Sequence, residues 1–288
     1  MAIKGLVASL VIGAGVLSAA GAAAAGDTES CKKVRLSDVG WTDITATTAM
    51  TAAMLQAMGY DSTIQQLSVP VTYASLKNKD IDVFLGNWMP SMENDIKAYR
   101  DDGSVETIDA NLDGAKYTLA VPAYTYDKGL HDFKDIQKYK DDLAGKIYGI
   151  EPGNDGNRHI LDMINDPKFG LSGWEPHPMN ANFSMKYLTG GDELFGPNFG
   201  GATVYTNVRK GYLGECPNVG KFVKQLKFSL EMENRMMGDI LDKGQDPKAA
   251  TVAWLKEHSD VIKPWAEGVT TFDGSGDALT AIKSGLGL

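Results

Sequence analysis

Apolar positions recur with two different periods along the first third of the chain. Alternation with a period of two from Lys33 to Val39 predicts a strand, and apolar residues at helical spacing from Thr45 to Met58 predict a helix. A strand over 63–67, a helix over 71–78 and a short apolar run over 81–85 follow. This β-α-β-α-β order predicts a parallel sheet.

The same order starts again at Lys116 but stops early. The predicted elements are strands over 117–122 and 146–150 and helices over 133–139 and 157–164. By analogy with the first unit, a strand, a helix and a strand should follow, but residues 166–173 lead almost directly to Trp174. We therefore predict a second lobe shortened by a missing strand-helix-strand segment.

The remainder of the chain completes an α/β fold of two lobes. Its predicted elements are strands over 183–188 and 202–208 and helices over 219–228, 231–243 and 247–258. We assign residues 26–114 and 208–288 to the first lobe and residues 115–207 to the second. Trp254 and Trp265 are interpreted as packing residues, because helical spacing and a Pro-rich loop explain them without a ligand.

The N-terminal segment Met1–Ala25 has the pattern of an export signal. Lys4 supplies the positive start, an apolar stretch follows, and small residues precede a mature chain that we expect to begin near Gly26. The stretch is too short for a convincing membrane span. Because no Cys lies at the expected cleavage point, we expect no lipid anchor. In an oxidising compartment we expect Cys31 and Cys216 to form a disulfide, with two free thiols as the alternative.

Composition narrows the classes of ligand. A hydrophobic content of 43%, a charged content of 23% and a net charge of -9 are typical of a soluble globular protein. The negative charge argues against nucleic acid or an anionic membrane as partner. The negative net charge is compatible with a cationic ligand but is not evidence for one.

Two Trp-containing stretches are the strongest candidate functional motifs. Asp82–Met92 reads D-V-F-L-G-N-W-M-P-S-M, and Gly173–Met179 reads G-W-E-P-H-P-M. Each has a Pro two residues after the Trp, and the apolar run before Trp88 predicts that it lies at the C-terminal edge of a strand. Ligands bind at that edge in open α/β sheets. The alternative is that Trp88 and Trp174 are ordinary core residues.

Three further turns are predicted at the same edge, and together they outline an aromatic box. The candidate ligand-binding residues are Trp41, Asp43, Trp88, Tyr117, Asn154 and Trp174. Aromatic faces select a quaternary ammonium group, which cannot donate N–H hydrogen bonds. A carboxylate and a carboxamide could bind a ligand hydroxyl. Structural alternatives remain, because Asp43 could cap a helix and Asn154 could stabilise a turn.

At these residues the sequence resembles a known family. The motifs are S-D-V-G-W-T-D, D-V-F-L-G-N-W-M-P, Y-T-L-A-V-P, G-I-E-P-G-N-D-G-N, W-E-P-H-P-M-N and G-E-C-P-N-V-G-K. They resemble the periplasmic choline-binding proteins of bacterial ABC importers, within the larger glycine betaine and proline betaine binding family.

The resemblance implies a two-lobed, type II-like periplasmic protein that closes on its ligand and delivers it to an inner-membrane permease. It also implies that Trp41, Asp43 and Trp88 come from the first lobe and Tyr117, Asn154 and Trp174 from the second, and that Cys31 pairs with Cys216. We expect a monomer without cofactor or metal. Relatives have a strand-helix-strand segment before G-W-E-P-H-P-M, which is where this chain departs from them.

Charge favours choline over betaine as the ligand. Asp43 beside the box would repel a betaine carboxylate, so glycine betaine or proline betaine is the alternative. An exported enzyme acting on a choline ester is a further alternative from another class. It would need a nucleophile and a base, and the chain has only four His and no G-x-S-x-G motif.

Overall fold

The order of strands and helices follows the predicted α/β pattern. The computed structural model describes residues 26–150, 154–178 and 185–288, so the predicted export signal lies outside the described residues. The strands are β1 Lys33–Asp38, β2 Asp61–Gln66, β3 Val83–Met89, β4 Val105–Lys116, β5 Ala120–Pro122, β6 Lys146–Gly149, β7 Glu175–Pro178, β8 Met185–Tyr187 and β9 Gly201–Arg209.

Helices cover both faces of the first lobe and flank the second. They are α1 Thr42–Ala57, α2 Val69–Asn78, α3 Glu93–Asp101, α4 Ala123–Tyr126, α5 Asp155–Asn165, α6 Asp192–Phe195, α7 Pro197–Gly200, α8 Tyr212–Glu215, α9 Pro217–Gln225, α10 Leu230–Leu241, α11 Pro247–Glu257, α12 Ile262–Trp265 and α13 Ala278–Leu286. Along the described ranges, no helix is both long and apolar enough to cross a membrane.

The first lobe is built on a five-stranded sheet with the order β2-β1-β3-β9-β4. β1 runs parallel to β2 and β3, which confirms the predicted parallel unit. β9 then pairs antiparallel with β3 on one side and with β4 on the other. The sequence analysis did not predict α3 or β4, although β4 is the longest strand of this sheet.

Two apolar clusters pack on opposite faces of this sheet. Val83 and Leu85 point into one cluster and Phe84 into the other, because successive side chains of a strand face opposite sides. Trp254 and Trp265 belong to the first cluster and are 9% and 2% exposed, which confirms their assignment as packing residues. The sheet is therefore buried on both faces.

Both crossovers between the lobes leave the sheet at neighbouring points. β4 ends at Lys116, which pairs with Gly201 at the start of β9. Residues 201–207, which the sequence analysis assigns to the second lobe, therefore hydrogen-bond within the sheet of the first lobe.

The second lobe contains two small sheets. β5 pairs antiparallel with β8, and β6 pairs parallel with β7. Residues 175–178 were predicted as a turn after a missing strand but themselves form β7, which lies beside β6 as β2 lies beside β1. The shortened second lobe stays a prediction.

A cavity of about 590 Å³ lies between the two small sheets. It is mostly apolar, and both sheets contribute to its wall. Its aliphatic and aromatic lining includes Leu119, Val121, Leu130, Ile136, Ile147, Ile160, Trp174, Leu188 and Phe195. This core is less continuous than that of the first lobe.

A disulfide joins Cys31 to Cys216, as predicted. The two residues are 185 positions apart and each is 1% exposed. The bond fastens the start of the described chain to the segment between α8 and α9, both within the first lobe. It therefore closes a loop that contains the whole second lobe.

We expect the double substitution Cys31→Ser/Cys216→Ser to lower the free energy of unfolding by about 2–5 kcal/mol, because a covalent link across a long loop restricts the unfolded chain. Urea unfolding of the oxidised protein and of the variant would measure this difference. Reduction of the unsubstituted protein should produce the same loss, and an unchanged midpoint would contradict the expectation.

Candidate functional site

Trp88 lies near the end of β3, where the strand continues beyond the predicted run. Its backbone pairs with Val204 of β9, so pairing with an antiparallel neighbour extends β3 past Leu85. The Trp88 amide donates to Met92 Sδ at 3.2 Å, and a cis Met89–Pro90 bond follows. The half-buried indole packs against both first-lobe clusters. The turn thus holds Trp88 at the C-terminal end of β3.

Asp43 lies in the first turn of α1, which begins at Thr42 rather than at the predicted Thr45. Trp41, rather than Asp43, occupies the N-cap position, so the predicted alternative of Asp43 as N-cap does not hold. Asp43 Oδ2 is buried although the residue as a whole is half-buried, and it has no hydrogen-bond partner among the described residues. The Asp43 carboxylate, which lies beside Trp88, therefore has no oppositely charged partner in the described chain.

Burial raises the pKa of Asp43 to about 6, and the charge of Asp38 adds to this effect. The amides of the first turn of α1 and the indole N–H of Trp88 oppose it. The Trp88 indole faces the Asp43 carboxyl group, but no hydrogen bond joins them. Trp88 Nε1, like Asp43 Oδ2, is buried without a hydrogen-bond partner in the described chain. Asp38 itself accepts a hydrogen bond from Thr45 Oγ1 at 2.9 Å.

Tyr117 faces Trp88 from the crossover that leads into the second lobe. The two ring centroids are 6.0 Å apart with the planes tilted by 54°. The Tyr117 amide donates to Gly200 O at 2.9 Å, and Gly200 has a φ of +65°. A Cβ at Gly200 would lie 1.8 Å from Tyr117 O, so this close approach requires glycine. The two crossovers are thereby joined beside the candidate site.

Asn154 is the N-cap of α5, whereas its structural alternative placed it in a turn. Its Oδ1 accepts from the Gly156 amide at 2.8 Å and from the Tyr117 hydroxyl at 2.8 Å. Asp155 Oδ1 lies 3.3 Å from the same hydroxyl. Asn154 therefore stabilises the helix and also orients Tyr117, and the two interpretations are compatible.

Trp174 lines the cavity between the two small sheets, which Tyr117 also lines. It is 3% exposed within the second-lobe core, and its Nε1 donates to Gln137 Oε1 at 2.7 Å. Trp174 comes before β7, which is parallel to β6 and begins opposite Lys146, the first residue of β6. It therefore lies at the N-terminal end of this pair, whereas Asn154 follows the C-terminal end.

The structure adds two carboxyl groups that the sequence analysis missed. Glu233 of α10 is 5% exposed, and burial together with the charge of Asp43 raises its pKa to about 8. Asp155 is 3% exposed, and its Oδ2 has no hydrogen-bond partner among the described residues. The burial of Glu233 could have been predicted from its position on the same helical face as Met232 and Met236.

The two lobes also meet through an ion pair. Arg158 Nη2 of α5 lies 2.5 Å from Asp95 Oδ2 of α3. Asp95 is the more deeply buried partner, and burial raises the pKa of its carboxyl group despite Arg158. This contact holds α5, and hence Asn154, against the first lobe.

The arrangement favours a cation without N–H groups. The rings of Trp88 and Tyr117 face each other, and Asp43 has a carboxyl group that no Lys or Arg of the described chain neutralises by an ion pair. Cation–π contacts of about 0.5–2 kcal/mol each would hold such a cation where water is excluded.

The family comparison agrees with this chemistry. Residues 32–172 and 170–257 match the family described as the substrate binding domain of ABC-type glycine betaine transport systems. These matched segments span well over half of the chain.

Similar proteins are known at high coverage. A solved structure titled as an ABC-transporter choline binding protein in complex with choline is 55% identical, with a TM-score of 0.86, covering 90% of this chain and all of that one. A second, described as unliganded and semi-closed, is 57% identical, with a TM-score of 0.79 and the same coverage. An uncharacterised protein, ORF1, from Chromohalobacter salexigens is 52% identical over 127 residues, 44% of this chain and 82% of that protein.

The raised pKa of Asp43 predicts how stability depends on pH. The usual value is 3.8 and the folded value is about 6, so the folded state holds this proton more tightly and stability falls as pH rises from about 4 to 6. We expect Asp43→Asn to be more stable than the unsubstituted protein at pH 7 by about 1–3 kcal/mol. Urea unfolding without ligand measures this.

The difference should shrink at pH 4.5, where Asp43 is protonated in the folded state. Asp61→Asn, at an exposed position of β2, is the matched control and should show no such change. A gain in Asp43→Asn of equal size at both pH values would contradict the assignment.

Proposed function

This chain belongs to the family of substrate-binding domains of ABC-type glycine betaine transport systems, and we propose that its ligand is choline. The observation that carries the proposal is the buried Asp43 carboxylate beside the indole of Trp88, with Tyr117 6.0 Å from that indole. A quaternary ammonium group satisfies both features, because it is cationic and donates no N–H hydrogen bond.

The similar proteins support choline in particular. The solved structures at 55% and 57% identity are titled choline-binding proteins, and the first contains choline. In our proposal Trp41, Trp88 and Tyr117 contact the trimethylammonium group. Asp43 balances its charge, and the ligand hydroxyl lies within reach of Asp43 or Asn154. Trp174, which lines the second-lobe cavity together with Tyr117, remains a predicted member of the site.

Glycine betaine is the second candidate, because the family is described by that ligand. Its carboxylate would approach Asp43, whose Oδ2 is buried and which has no ion-pair partner in the described chain. Like charges at short range in a site of low polarity cost several kcal/mol. Choline carries the same cation without this penalty.

The protein functions as a component of an importer. Its family and the similar structures are substrate-binding transport proteins rather than enzymes. Such proteins act outside the cytoplasm, and we propose the periplasm from the predicted export signal over 1–25. The two lobes close on the ligand, exclude water from the aromatic faces, and present it to a membrane permease of the ABC type.

Replacement of Trp88 should weaken choline binding more than folding. We expect Trp88→Phe to raise the Kd for choline about 5- to 30-fold, which corresponds to about 1–2 kcal/mol, because phenyl is a weaker cation–π partner than indole. Calorimetric titration measures the Kd, and thermal unfolding measures the stability.

Trp254→Phe is the matched control, since it shortens a Trp in the apolar core of the first lobe. It should lower the melting temperature and leave the Kd unchanged. If Trp88→Phe lost stability and kept its affinity, Trp88 would be a core residue and the proposed box would fail.

Asp43→Asn tests the choice between choline and glycine betaine. Removal of the negative charge should weaken choline about tenfold or more and leave betaine unchanged or bound more tightly, because the repulsion of its carboxylate is relieved. Parallel calorimetric titrations with both ligands measure the ratio of the two Kd values. An equal loss for both ligands would show that Asp43 does not discriminate between them.

A further inference from the structure

Asp155 is a buried carboxyl group that the proposed ligand contacts do not use. It is the first residue of α5, is 3% exposed, and its Oδ1 lies 3.3 Å from the hydroxyl of Tyr117. Its Oδ2 is buried without a hydrogen-bond partner among the described residues, and no Lys or Arg of those ranges forms an ion pair with it. Arg158, one turn further along α5, forms its ion pair with Asp95. Asp155 therefore places a carboxyl group against the aromatic residue that faces Trp88.

The neighbours of the Tyr117 hydroxyl determine where its proton points. Asn154 Oδ1 accepts a hydrogen bond from the Gly156 amide at 2.8 Å, which identifies this atom as the carbonyl oxygen of the side chain. The Tyr117 hydroxyl lies 2.8 Å from that oxygen and 3.3 Å from Asp155 Oδ1, and an amide or carboxylate oxygen can only accept. The single proton of the hydroxyl is therefore directed at these two atoms. Tyr117 offers a ligand its ring face rather than an O–H donor.

A negative charge beside the hydroxyl changes the ring as well. Asn154 is the closer acceptor, and Asp155 adds the charge, which the amides at the start of α5 stabilise. Hydrogen bonds to a carboxylate are stronger than those to a neutral acceptor, and linked hydrogen bonds polarise one another. Polarisation of the O–H bond raises the electron density of the phenol ring, and such a ring attracts a cation more strongly. Because Asp155 is buried, salt screens this effect only weakly.

We propose that Asp155 is a positioning residue that acts through Tyr117 and strengthens the preference of the site for a cation over a neutral ligand of the same shape. The inference rests on the proposed function, in which Tyr117 contacts the trimethylammonium group. Asp43 balances the charge of that group from the first lobe, and Asp155 adds a second negative charge from α5, behind the Tyr117 hydroxyl. Each lobe then contributes one buried carboxylate to the recognition of the ligand.

The experiment compares choline with its neutral carbon isostere, in which a tert-butyl group replaces the trimethylammonium group. Calorimetric titration gives the Kd for choline, and displacement of choline gives the Kd for the weaker isostere. We expect Asp155→Asn to raise the Kd for choline about three- to tenfold, because the carboxamide keeps the shape and an acceptor oxygen but removes the charge. The Kd for the isostere should change by less than about twofold, since it carries no charge. Thermal unfolding checks that each variant is folded.

Tyr117→Phe separates action through the hydroxyl from a direct effect of the charge on the ligand. This substitution keeps the ring and removes the group that Asp155 contacts. In the Tyr117→Phe background, Asp155→Asn should change the Kd for choline by less than about twofold. A loss of the same size in both backgrounds would show that Asp155 acts on the ligand without Tyr117, and it would overturn the inference.

Asp162→Asn is the matched control, because Asp162 is exposed two turns later on the same helix. It should leave the Kd of both ligands unchanged. Asp155→Ser is a second variant, since Ser also suits a helix N-terminus, and it should show the same selective loss of choline.

An equal loss for choline and for the isostere in the Asp155 variants would overturn the inference, because it would make Asp155 a residue that only supports the start of α5. An unchanged Kd for choline would overturn it as well. Failure of the unsubstituted protein to bind choline would instead refute the proposed function.

Discussion

A buried negative charge without a protein cation is the constraint on which this site depends. Removal of a carboxylate from water costs several kcal/mol unless a counter-charge or hydrogen bonds compensate. Asp43 receives only part of that compensation, from the first amides of α1 and the indole of Trp88. The folded first lobe stabilises this unfavourable arrangement through two apolar clusters and a disulfide. A bound cation would supply the missing charge, so the cost in the empty protein becomes selectivity for a positive ligand.

The crossovers between the lobes hold aromatic side chains at a point where movement of one lobe changes their contacts with the other. β4 ends and β9 begins as paired neighbours, and Tyr117 follows one of them while Gly200 precedes the other. The Tyr117 hydroxyl bonds to the N-cap of α5 in the second lobe, and its ring faces Trp88 in the first. One side chain thus contacts both lobes, and the Arg158–Asp95 pair adds a second link. Rotation of the second lobe would therefore alter the contact between Tyr117 and Trp88 directly.

The two lobes differ in how their interiors are filled. The first has one continuous sheet covered on both faces, whereas the second has two pairs of short strands separated by a mostly apolar cavity of about 590 Å³. Small sheets depend on packing against other elements for their stability. Trp174 contributes to that packing, and its indole N–H donates a hydrogen bond to Gln137.

Local sequence determined the elements whose signals are local. The alternation in β1, the helical spacing in α1, the packing of Trp254 and Trp265 and the cysteine pair were all predictable. Long-range pairing decided the rest: β9 extended β3 to include Trp88, β7 formed beside β6 and placed Trp174 at the N-terminal end of that pair, and α10 packed against α1 and buried Glu233. The periodicity of a sequence indicates which face of an element is buried. Which neighbour buries that face is decided only by the packing of distant segments, and this packing sets the charge around a site and the pKa of its groups.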